Sequence, residues 1–167
     1  SIYGQASSSS VEKTRILIQF PVSEIATDRS LDIVPLSGSS TFRLRVHNAR
    51  HGQTTPENYQ VSVHPLVRAW NEGGGLDMES YLDLESSNWI SASSGVTWHT
   101  TGSDFINSDY VTASVIPLEY NQFLKEGTED LNIDITGLVE EWIKYNNNSA
   151  IRATASINLV SNLNADD

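Results

Sequence analysis

The sequence predicts an all-β fold, an antiparallel β-sandwich of jelly-roll type with two short helices. Three observations lead there. Short apolar segments alternating at period two recur along the chain, as half-buried strands do. Polar connections carrying Ser, Gly and Pro separate them. Helical periodicity is confined to two brief stretches, so long helices of the kind that cover parallel sheets are not expected.

Taken in order, the segment Ser1-Ile2-Tyr3-Gly4-Gln5-Ala6 and the Ser7 to Ser10 run read as a Ser-rich, flexible lead-in covering residues 1–12. Thr14 to Phe20 is the first clear strand, with Ile16, Ile18 and Phe20 on one face, Leu17 opposite and Pro21 ending it. Ser23 to Ser40, with Pro35 and Ser37-Gly38-Ser39-Ser40, reads as a loop, and Asn48 to Glu57 as a polar connection. Phe42 to Val46 alternates cleanly, placing Arg43 and Arg45 on the outer face. Short strand pieces are expected at Trp89 to Ile90 and Val96 to Trp98. Longer ones are expected over Val111 to Val115 and from Ile151 to Leu159. A sandwich domain over residues 13–160 and a tail or linker over 161–167 complete the reading.

One pattern occurs twice. Tyr59-x-Val61-x-Val63-x-x-Leu66-Val67-x-x-Trp70 is matched by Leu131-x-Ile133-x-Ile135-x-x-Leu138-Val139-x-x-Trp142. In each, period two switches to helical period, predicting a strand that runs into a short helix beginning near Leu66 or Leu138. Pro65 would then occupy a first helical position. Thr136 would cap the second helix, and Lys144 would sit near its end, as the macrodipole favours. Both Trp70 and Trp142 are expected in the core.

The chain has 167 residues, enough for one domain that buries about 70% of its unfolded surface without disulfides. It has no cysteine, and 21 acidic residues against 10 basic ones give a net charge of −11. Phosphate-backbone binding draws on clustered Lys and Arg. The densest basic cluster here is a strand face, so neither nucleic-acid binding nor membrane insertion is expected. A chain that starts at Ser1, without Met or signal-peptide character, is expected to be an expressed fragment or part of something longer.

Candidate sites are few. Glu72 to Glu85 gathers carboxylates without Lys or Arg, and Asp77, Glu79 and Asp83 are the candidate calcium ligands. A solvated acidic loop accounts for the same residues. Otherwise no cofactor is expected. Trp89, Trp98 and Tyr110 are the candidate glycan-stacking residues, although for the two Trp a role plugging the core is the preferred reading. No Gly-x-Ser-x-Gly elbow or metalloprotease pattern occurs, and no catalytic residue is assigned. The chain is therefore read as non-enzymatic.

Several stretches carry a resemblance as an ordered set. They are Ser1 to Ala6, Arg15 to Val22, Phe42 to Ala49, Trp70-Asn-Glu-Gly73, Gly75 to Glu79, Asn88 to Ser93, Asp130 to Thr136 and Leu138 to Trp142. In order and spacing the set resembles a structural protein of tailed bacteriophages, especially those of marine and cyanobacterial hosts. More distantly, it is similar to carbohydrate-binding-like β-sandwich modules of secreted and cell-surface bacterial proteins. The chain departs from the module pattern at Asn146-Asn147-Asn148-Ser149-Ala150. The phage resemblance runs from Ser1 to about Ala155. It implies a non-enzymatic virion component in an extracellular particle: capsid, neck, baseplate or tail appendage. Its partners would be other virion subunits, including copies of itself, with a host-surface glycan as a further ligand. The alternative is a carbohydrate-binding module.

Overall fold

A computed structural model of the chain describes residues 2–4, 13–49, 56–66, 68–74, 85–99, 120–144 and 156–162. Its elements are β1 (Ile2–Gly4), β2 (Lys13–Gln19), α1 (Val22–Ser30), β3 (Arg43–Val46) and β4 (Tyr59–Pro65), followed by β5 (Ser91–Ser93), β6 (Val96–Thr97), β7 (Tyr120–Leu124), β8 (Leu131–Asp134), α2 (Thr136–Lys144) and β9 (Ser156–Asn162). The fold is mainly β, in small antiparallel sheets with two short helices. Five strands form one sheet in the order β1-β2-β9-β4-β7, while β3 pairs with β8 and β5 with β6. Among the described residues no helix is long and apolar enough to cross a membrane.

Strand alternation divides the apolar residues between two clusters. On β2, Leu17 joins Leu66, Ala92 and Trp98 on one side, with Trp70 and Trp89 packed against them. Ile18 turns to the other side, onto the main core of Val22, Leu44, Val63, Leu131, Ile133, Ile135, Leu138, Val139 and Trp142. The large sheet is thus packed on both faces. On β3 the alternation also holds, with Leu44 buried between exposed Arg43 and Arg45.

The second repeated unit forms as the period switch predicts. β8 ends at Asp134, and Leu138, Val139 and Trp142 fall on the buried stripe of α2. Trp142 is 7% exposed and meets the Phe20 ring at 5.9 Å. The cap differs from expectation. The Asp134 carboxylate accepts the Thr136 N–H at 2.9 Å, and the Thr136 hydroxyl instead accepts the Phe42 N–H at 2.9 Å. A hydroxyl next to the unpaired backbone at the start of β3 serves that strand before its own helix.

The first repeated unit does not turn helical. β4 continues through Pro65, which pairs with Ile157 of β9, and residues 68–74 form no helix. A helical first position and a strand end are both open to Pro, and here the neighbouring strand decides between them. Trp70 consequently lies half-buried beside the second cluster.

The other helix is α1, in the stretch read as a loop. Its sequence is polar and only Val22 is buried, so its hydrophobic periodicity is weak. What holds it is an ion pair to α2: Arg29 Nη1 and Nη2 donate to the two Glu140 carboxylate oxygens at 2.6 and 2.8 Å. Both side chains are largely shielded, at 12% and 17% exposure. The Arg29 guanidinium also lies over the Phe42 ring and donates to the Pro35 carbonyl. Glu24 near the start and Arg29 near the end suit the helix dipole, the one local signal for this helix. Of the short strand pieces, the second falls as expected at Val96–Thr97, whereas the first is displaced to Ser91–Ser93 because Trp89 and Ile90 lie in the turn that Asn88 organises. The strand expected over Val111 to Val115 lies outside the described residues.

Trp142→Ala is expected to cost about 3–5 kcal/mol in denaturant unfolding, as large-to-small changes in a packed core do. Hydrogen bonds from Arg29 hold the Glu140 carboxyl below its ordinary 4.5. A carboxylate depressed in the folded state adds stability at neutral pH that is lost as pH falls through its folded value. Unfolding stability should therefore drop below about pH 4.5, with a shallower slope in Glu140→Gln. A double-mutant cycle between Arg29→Met and Glu140→Gln should give a coupling energy of about 1–3 kcal/mol.

Candidate functional site

Among the described residues, two places have geometry that could serve a ligand. The first is the tryptophan-rich face. After β4, Asn71 ties the chain to the β5–β6 hairpin: its N–H donates to the Ala92 carbonyl, and its own carbonyl accepts the Ser87 N–H. Its side chain accepts the Gly73 N–H at 2.9 Å, in a turn where Gly73 has φ 81°. The hairpin is organised by Asn88, whose Oδ1 accepts the backbone N–H groups of Ile90 and Ser91 at 2.8 and 2.9 Å. This Asx turn uses a local side chain where strand partners are not yet available.

Trp98 is a core residue here, 5% exposed, with Nε1 donating to the Asn88 carbonyl at 2.7 Å. Its ring offers no face to a sugar, because sheet and hairpin close over it. Trp89 is half-buried, and the Arg15 guanidinium sits 5.0 Å from its ring centroid. That cation–π contact occupies a ring face that stacking would need. Arg68 contacts His99 nearby. Tyr110 and the calcium candidates Asp77, Glu79 and Asp83 lie outside the described residues. Among the described residues, no group of three His, Asp or Glu side chains could hold a metal ion.

The second place is an open groove of about 430 Å³ between β7 and β8, lined by Tyr120, Asn121, Gln122, Asn132, Ile133 and Asp134. The sequence reading missed it because its residues come from two strands and share no motif. The groove exists because β7 and β8 run side by side without a strand ladder. Gln122 spans the gap instead, donating from Nε2 to the Asp130 carbonyl at 2.9 Å and accepting the Asn132 N–H on Oε1 at 2.7 Å. Arg43 reaches in from β3, donating to the Asn132 side chain at 2.7 Å, with Asp134 3.9 Å away.

The titratable groups of the groove are held in one protonation state by their neighbours. Burial pushes the Tyr120 hydroxyl up to about 12, against the Leu138 backbone N–H and with help from the Asp134 charge. The phenol is therefore protonated at neutral pH and is no base. Asp134 is held below its ordinary 3.8 by the Thr136 hydroxyl and N–H. Asp130 is likewise held down, first by the Asn48 N–H and then by His47, whose Nδ1 lies 2.9 Å from its carboxylate. No lining residue is a Ser, Cys, Lys or His, and the amides of Gln122 and Asn132 are engaged in holding strands together.

Compared with family models, curated proteins and solved structures, the chain matches none.

Gln122→Ala should cost about 1–2 kcal/mol, as two partly exposed hydrogen bonds are exchanged for water. Hydrogen exchange at Asn132 should accelerate in that variant while exchange along β2 stays unchanged.

Proposed function

We propose that this chain is a non-enzymatic structural component of a bacteriophage virion, built as a jelly-roll-like sandwich and acting through contacts with neighbouring subunits. One observation carries the reading. The phage-like motifs that fall on described residues coincide with elements that make the fold. Arg15 to Val22 spans β2 and the start of α1, and Phe42 to Ala49 contains β3. Trp70 to Gly73 and Asn88 to Ser93 are the two Asn-centred turns, and Asp130 to Trp142 holds β8 and most of α2. The resemblance carries no catalytic residue over to this chain, which supports a role as a part of an assembly.

The strongly acidic composition supports the same reading, since a net charge of −11 favours solubility and partners that supply Lys and Arg. The carbohydrate-binding alternative finds less support, because Trp98 is buried and Trp89 already holds Arg15.

In native particles the chain should bury more than about 1,000 Å² against other subunits, as specific interfaces do. Its association should weaken with added salt. Imaging of the particle and salt-dependent release measure both. Robust turnover of a polysaccharide, ester or peptide, abolished by a single substitution, would overturn the proposal, as would absence of the chain from any particle.

A further inference from the structure

The segment that follows α1 is unusual for a loop. Leu31, Ile33 and Leu36 are 63%, 66% and 68% exposed, three aliphatic side chains within six residues. Single exposed aliphatics are ordinary on a protein surface, whereas several so near one another in sequence mark a candidate contact surface. The segment is also fixed. Leu31 N–H donates to Thr27 O, Ile33 and Val34 N–H donate to Asp28 O, and Ser39 N–H donates to Leu36 O. Arg29 Nε and Ser40 Oγ both donate to the Pro35 carbonyl, at 3.1 and 3.0 Å. Asp32 completes the turn at φ 60°, a conformation open to Asp more readily than to most residues. Arg29 is in turn anchored on Glu140. The three side chains thus project from a backbone ordered before any partner arrives, which lowers the entropic cost of binding.

Charge narrows the partner. Glu24, Asp28 and Asp32 lie on the same stretch, and its sole basic residue, Arg29, is engaged by Glu140. Acidic side chains so close in sequence to the exposed aliphatics disfavour an anionic lipid surface. A second copy of the chain, itself carrying −11, is also disfavoured. We propose that Leu31, Ile33 and Leu36 form a docking prow that inserts into an apolar socket rimmed by Lys and Arg on a different polypeptide. This rests on the reading of the chain as a virion component, and it names the surface and the chemistry of the neighbour.

The test places a photoreactive residue at position 33 or 36, with position 123 as a control, since Phe123 is also exposed but lies on β7. Cross-links formed in native particles are mapped by mass spectrometry. In parallel, the Leu31→Ser, Ile33→Ser, Leu36→Ser triple variant is compared with Phe123→Ser. The expected result is a cross-link from 33 and 36 to a polypeptide of different sequence, at an apolar segment flanked by Lys or Arg. The triple variant should keep its melting temperature and fall roughly tenfold in incorporation, the loss expected of truncated hot-spot side chains. Phe123→Ser should incorporate normally. Cross-links mainly to a second copy, to lipid or to an acidic segment would overturn the proposal. So would no product at either position, or normal incorporation of the triple variant. Each of those results leaves the virion reading standing. Absence of the wild-type chain from particles removes both.

Discussion

The strand-to-helix run from Leu131 to Trp142 is the constraint on which the rest of the structure depends. Among the described residues, six of the nine buried in the main core come from it: Leu131, Ile133, Ile135, Leu138, Val139 and Trp142. One short stretch supplies both the floor of the small sheet and the helix that packs beside it. Because β8 passes into α2 through the single residue Ile135, their relative direction is set covalently, and the remaining elements assemble against that corner. β3 pairs along β8, with Leu44 opposite Ile133, and β4 and β2 bring Val63 and Ile18 to the same interior.

The seams around this corner are closed by polar side chains rather than by continuous ladders. Gln122 replaces strand pairing between β7 and β8, Thr136 receives the Phe42 N–H at the start of β3, and Asp130 receives the Asn48 N–H at its end. In the β7–β8 turn, Glu129 accepts the N–H groups of Lys125 and Glu126. Backbone groups left over where sheets stop need partners. This chain uses nearby Gln, Thr, Asp and Glu side chains for that purpose, which ties a share of its polar surface to structure.

That allocation bears on function. Carboxylates that might have suggested acid–base chemistry, such as Asp130, Asp134 and Glu140, are held ionised by backbone N–H groups, hydroxyls or Arg29. They stabilise the fold and are poorly placed to exchange protons at neutral pH. Among the described residues, the segment from Leu31 to Leu36 keeps three aliphatic side chains exposed on a hydrogen-bonded backbone.

By itself the sequence determined the mainly β character, the β8–α2 corner and the burial of Trp142, because each is written in local periodicity: alternation over Leu131 to Ile135, then a helical stripe through Leu138 and Trp142. The alternation of β3, with Arg43 and Arg45 outward, was equally local. Tertiary structure decided what local pattern leaves ambiguous. Pro65 extends a strand because β9 lies alongside to receive it, although the same residues could have started a helix. The polar segment after Pro21 is helical because Glu140, distant in sequence, engages Arg29. The groove beside Gln122 and the burial of Trp98 are likewise properties of strands brought together. Periodicity reports which face of an element is apolar. What lies against that face depends on residues far along the chain.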